Sequence, residues 1–198
     1  MMPDGVLSTA AWPARFFGAR SGATSATIDY EDGGIAIQDP SEGMLYQRWR
    51  ARLHNAGEAD SYVMLDAREV AEFVWLSVPH MTEISFSFDA NMRPAIAYVA
   101  GGSAFFRWYD SRIPAYVTTA LPAGVITPRV AMDDKRLVGS NGYQVSDVLL
   151  AYVRNGNLYL RVQREHYATE HLLKTDVTPL IRIGMSRGLR FQFMHEVS

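Results

Sequence analysis

The sequence has no cysteine in its 198 residues. Disulfides and thiolate metal sites are therefore excluded, and the redox compartment is left open. Charge of one sign is also lacking: 19 basic residues stand against 21 acidic ones, for a net charge of −2. No Lys/Arg run stands out, so nucleic acid is not expected as a partner. No apolar run approaches the roughly 18 residues of a membrane span. A signal-peptide core is not expected at the N-terminus, because Pro3, Asp4, Pro13 and Arg15 interrupt it. The P-loop and G-x-G-x-x-G patterns are missing, so nucleotide sites have no support. G-x-S-x-G occurs once, at Gly184-Met185-Ser186-Arg187-Gly188, but between two strand-like runs rather than at a strand-to-helix turn, so a nucleophile elbow has no support either. What is present is globular: 48% hydrophobic and 20% charged residues suit one domain, or one domain with an arm.

One stretch organises the rest, 146–165. Asn155-Gly156 lies between two β-rich runs, and both residues tolerate the positive φ of a type I′ hairpin turn. With the turn placed there, Val153 faces Leu158, Ala151 faces Leu160 and Leu149 faces Val162 on one apolar side. Tyr152 opposite Tyr159 and Leu150 opposite Arg161 form the other. The first strand is apolar on both faces and belongs inside a sheet, whereas the second alternates and lies nearer an edge.

The pattern recurs. Residues 96–107 align with 150–161 at a constant offset of 54, which matches Tyr98 with Tyr152, Gly102 with Gly156, Phe105 with Tyr159 and Arg107 with Arg161. A short strand ending in an aspartate precedes each hairpin, at Asp89 and at Asp133. A third copy begins at Ile181, since 129–132 matches 182–185 at an offset of 53. Repeats of this period mark stacked or radial β units. The expected fold is all-β, with antiparallel blade-like repeats forming an incomplete β-propeller or packed sheets. The expected division is an N-terminal arm over 1–25, then a single β-rich domain over 26–198 with repeats at about 84–128 and 129–181.

Elsewhere, 26–30 and 34–38 read as strands around the turn Glu31-Asp32-Gly33. Residues 45–53 alternate strictly, with Trp49, Ala51 and Leu53 on one face and Arg48, Arg50 and Arg52 on the other. Strands are expected at 61–65, 72–78 and 189–194, one helical turn at 66–71, and a short helix within 166–174. The arm carries Trp12, Phe16 and Phe17, three aromatics that so short a segment cannot bury by itself. They are therefore candidate contacts to a partner.

Chemistry-bearing groups are sparse. His166 and His171 stand five apart, not at the i, i+4 spacing of an H-E-x-x-H zinc motif, so no metal is expected. Asp89, Asp133, Asp134 and Glu165 are the carboxylates a glycosidase pair would draw on. Asp89 and Asp133 sit at strand ends, where aspartate commonly closes a turn with its own side chain. Trp49, Trp75 and Trp108 fall within strand patterns and read as core rather than as a sugar-stacking platform. No catalytic residue, cofactor or metal site is expected, and the chain is read as not an enzyme.

The run Asp133-Asp134-Lys135-Arg136, the segments 146–154 and 158–165, and 84–109 with Phe88-Asp89 and Asn91-Met92-Arg93-Pro94 resemble tail-associated virion proteins of tailed bacteriophages. The resemblance covers roughly 45–174 and brings no catalytic residues with it. It implies a structural component of the virion tail, assembled in the host cytoplasm in several copies and mediating assembly or attachment of tail parts. The partners implied are other phage tail proteins and further copies of the chain. The alternative is a carbohydrate-binding module whose partner is a host surface glycan.

Overall fold

The computed structural model describes residues 27–30, 49–67, 71–89, 93–134, 146–177, 180–185 and 191–195. Among them the chain is almost entirely β. Four strands, β1 (Thr27–Tyr30), β2 (Trp49–His54), β3 (Tyr62–Ala67) and β4 (Ala71–Ser77), form a first antiparallel sheet in sequence order. β5 (Met81–Phe88), β6 (Pro94–Ala100), β7 (Ser103–Asp110) and β8 (Ala115–Ala120) form a second. β9 (Val125–Asp134), β10 (Ser146–Arg154), β11 (Asn157–Val162) and β12 (His171–Lys174) form a third. A final hairpin pairs β13 (Leu180–Met185) with β14 (Phe191–His195). Each sheet is a meander whose last strand is its outer edge, and no sheet closes on itself.

Local chemistry explains the hairpins. Asn155 (φ 52°) and Gly156 (φ 73°) both occupy the left-handed region, the backbone that a type I′ turn requires. The register follows from that turn: Val153 pairs with Leu158, Ala151 with Leu160, Tyr152 with Tyr159, Leu150 with Arg161 and Leu149 with Val162. In the second sheet Gly101 (φ 55°) and Gly102 (φ 76°) repeat the geometry, and Tyr98 pairs with Phe105 as Ile96 does with Arg107. The offset of 54 between the copies is thus a structural equivalence of β6–β7 with β10–β11.

The sheets pack face to face, and the first strands of the second sheet, the third sheet and the final hairpin lie side by side. β5 lies against β9, β9 against β13, and β2 against β5. Ser85 Oγ accepts a hydrogen bond from Val130 N at 2.9 Å, tying β5 to β9. This stacking explains why β6 and β10 are apolar on both faces. Ile96 and Tyr98 turn toward Leu53, Val63 and Leu65 of the first sheet. Ala95 and Ala97 turn toward Val148, Leu150 and Tyr152 of the third. On the far side of β10, Ala151 and Val153 pack with Leu158 and Val177. Successive cores therefore alternate with successive sheets.

Two helical expectations are corrected. Asp66 and Ala67 end β3 and Ala71 begins β4, so the expected turn at 66–71 is strand at both ends; residues 68–70 lie outside the described residues. Over 166–174 there is no helix. A single 3-10 turn at Gln163–Glu165 stops at His166 (φ 52°) and Tyr167 (φ 57°), and His171–Lys174 is the edge strand β12. Two consecutive left-handed residues cost about 1–2 kcal/mol each. Burying the Tyr167 ring offsets this, because ~150–250 Å² of aromatic surface is worth roughly 4–6 kcal/mol.

Candidate functional site

The side chains that the repeat holds constant converge on the junctions between sheets. Along the third strand of a sheet, alternate residues face the preceding sheet. Arg107 on β7 and Arg161 on β11 occupy this equivalent position. Beside each lies a stacked or tilted aromatic pair: Tyr98 with Phe105 at 5.2 Å between centroids, and Tyr152 with Tyr159 at 6.1 Å.

At the junction of the second and third sheets the arginine is enclosed. Arg161 Nε donates to Tyr152 Oη at 2.8 Å, and its NH1 donates to the Tyr167 carbonyl at 3.0 Å. Its NH2 lies 3.6 Å from Glu170 Oε1. Glu170 also accepts from the Tyr152 hydroxyl, and from Arg154 NH2 at 2.9 Å. Burial, then the bond to Glu170, raises the Tyr152 pKa above its ordinary value. Next to this network is a cleft of about 200 Å³, lined by Phe106, Trp108, Thr119, Leu150, Arg161 and His166 among others. Tyr167 forms its floor, edge-on to Phe106 at 4.6 Å and to Trp108 at 4.7 Å.

At the junction of the first and second sheets the equivalent arginine is less satisfied. Arg107 NH1 donates to Thr118 Oγ1 at 3.0 Å and its guanidinium lies 5.3 Å from the Tyr116 ring centroid. Its Nε is buried without a hydrogen-bond partner among the described residues. Tyr116 meets Trp75 and Tyr109 edge-on, at 6.1 and 5.4 Å.

Buried aspartates stand at strand ends, each held by an arginine. Asp89 takes hydrogen bonds from Arg93 N at 2.9 Å and Arg93 Nε at 2.7 Å, so its carboxylate closes the β5–β6 connection. Asp110 is bound by Arg112, whose side-chain hydrogen bonds lower the carboxyl pKa to about 2. Asp147 lies 3.0 Å from Arg164 Nε. The Tyr167 hydroxyl is buried with no hydrogen-bond partner among the described residues. Its pKa is raised well above the ordinary value, by burial first and then by the Asp89 and Asp147 carboxylates.

The residues singled out from sequence are dispersed. Trp12, Phe16 and Phe17 lie outside the described residues, as do the side chains of Trp49, Asp133 and Asp134. His171 Nε2 sits 2.6 Å from Glu165 Oε2, while His166 Nδ1 is 4.0 Å from Asp110. The two histidines thus have different partners. Among the described residues no group of three His, Asp or Glu side chains is placed to hold a metal ion. Trp108 is core, and Trp75 packs partly buried at the first junction. Sequence reasoning paired Arg107 with Arg161 but missed Glu170 and Tyr167, whose roles depend on how the sheets meet, and Asp110, which Arg112 holds locally.

No protein-family model, curated protein or solved structure matches this chain. Its function is therefore argued from its own residues. What they offer at these junctions is a guanidinium set over one aromatic ring, with strand edges open beside it.

Proposed function

We propose that the protein is a non-enzymatic structural component of a bacteriophage tail, present in several copies and joining tail parts. The observation that carries the assembly part of this reading is the set of open outer strands. Among the described strands, none pairs with the outer edges of β4, β8 or β12. β4 exposes Phe73 and Val74, and β12 exposes Leu172 and Leu173 at 55% and 42%. Apolar residues on unpaired edges are what natural monomers suppress and what an assembling subunit uses. The tail context draws on the sequence resemblance over roughly 45–174.

The test is a mass-spectrometric inventory of purified particles from the genome that encodes the chain. It should find the protein at more than one copy per particle. Absence from the particles, with a compact monomer on sedimentation, would refute the reading. A second reading, binding of a host glycan, is favoured by the cleft beside Trp108, Arg161 and His166. Glycan-array binding that is lost on Arg161→Ala would select it instead.

A further inference from the structure

The two equivalent arginines differ in one respect that bears on partners. Arg161 is closed off by Glu170, a carboxylate just ahead of β12 that also binds Arg154 and Tyr152. Arg107 has the same strand position, but among the described residues no carboxylate lies within ion-pair distance of it. Its NH1 bonds to Thr118, its direct cross-strand neighbour on β8, so the guanidinium reaches toward the open edge. That edge is wet: all six residues of β8 are exposed or half-buried.

From this we infer that β8 receives an extended, acidic segment of a neighbouring protein as an added strand, with a carboxylate of that segment pairing with Arg107 as Glu170 pairs with Arg161. The inference rests on the assembly reading above and names the chemistry of one of its contacts. An added strand lies about 4.8 Å beyond β8. The residue placed opposite Thr118 then points to the same face as Arg107, within reach of a glutamate side chain. Main-chain hydrogen bonds along 115–120 supply affinity, and the carboxylate supplies register and selectivity. A sugar fits less well. Tyr116 already has Arg107 on its ring and Trp75 and Tyr109 at edge-on angles of 73° and 79°, so no flat aromatic platform is open. β4 and β12 are open as well, but β4 exposes Glu72, which would repel an acidic segment, and β12 exposes two leucines with Lys174 only at its end.

The probe is a labelled ten-residue peptide of alternating threonine and valine with one central glutamate, compared with its glutamine counterpart. Fluorescence anisotropy and amide chemical shifts of the full-length protein are recorded. The glutamate peptide should bind about ten-fold more tightly than the glutamine one, a difference of ~1.4 kcal/mol, and shift the amides of 115–120. Arg107→Gln should abolish the discrimination in a protein that still unfolds cooperatively, and Arg107→Lys should retain part of it. Equal binding of the two peptides, no binding, or shifts confined to another edge would overturn the inference. An oligogalacturonate that binds at Trp75 and Tyr116 where the peptides do not would also overturn it, in favour of a glycan. Failure here, with the protein still found in particles, leaves the assembly reading standing.

Discussion

Gly156→Val tests the turn on which the central hairpin depends. Gly156 holds φ 73° beside Asn155 at 52°. A Cβ added at Gly156 meets nothing within 4 Å. The substitution therefore carries no packing penalty, and its cost isolates backbone strain. A non-glycine residue in the left-handed region costs about 1–2 kcal/mol, and a β-branched one stands at the upper end. The Gly156 carbonyl also accepts a hydrogen bond from Val177 N at 2.8 Å, so a shifted turn would loosen a second segment. The expected loss is about 2 kcal/mol for valine, about 1 for alanine and only a few tenths for asparagine, which tolerates this region. For a chain of this size ~1 kcal/mol moves the melting midpoint by roughly 2–4 °C. Thermal denaturation of the four proteins should thus rank glycine and asparagine above alanine, and alanine above valine. An asparagine variant as unstable as valine would refute the turn geometry, since the penalty would then follow side-chain size.

Three further outcomes are expected. Tyr167→Phe removes a buried hydroxyl that has no partner among the described residues and should stabilise by about 1 kcal/mol, while Tyr167→Ala should lose about 3–5 kcal/mol; chemical denaturation distinguishes them. Glu83→Gln should destabilise by about 3 kcal/mol in the same assay, because it strips the ion-pair partner from Arg129, a side chain only 1% exposed. Asp110 has a folded pKa depressed to about 2, so the stability it contributes is complete above its ordinary value near 4 and is lost as pH falls through about 2. Asp110→Asn should flatten the melting midpoint between pH 4 and pH 2, and an unchanged slope would show that Arg112 does not hold the carboxylate.

The hairpin register was legible because its determinants are local: two residues suited to positive φ, and a side-chain period that a one-residue slip would invert. The equivalence of Tyr98, Phe105 and Arg107 with Tyr152, Tyr159 and Arg161 was legible for the same reason. The segment after β11 was not. Neither His166 nor Tyr167 carries the glycine or asparagine signature of a left-handed residue, and the chain reverses there because the Tyr167 ring finds Phe106 and Trp108 on another sheet. Thr127 at φ 48°, just before Pro128, is likewise invisible in sequence, since a β-branched residue is the last expected in that region. Glu170 gave no signal either. Its neighbours Arg154 and Arg161 lie on two different strands, so its role appears only once register and sheet packing are both fixed.

This fold is closed at one junction and open at another. The second and third sheets are bound through Arg129 and Glu83, through Ser85 and Val130, and through the Phe106–Trp108–Tyr167 aromatic group. The third sheet's own arginine is also neutralised from within by Glu170. The junction of the first and second sheets shares the aromatic pair and the arginine position, yet Arg107 has no carboxylate partner among the described residues and leans on a threonine and a tyrosine ring. A ligand that binds only the folded state stabilises it in proportion to its occupancy. A carboxylate brought to Arg107 would therefore act on the less satisfied of the two junctions. In a fold of successive sheets, such a contact would couple the completion of one inter-sheet junction to the arrival of a neighbour.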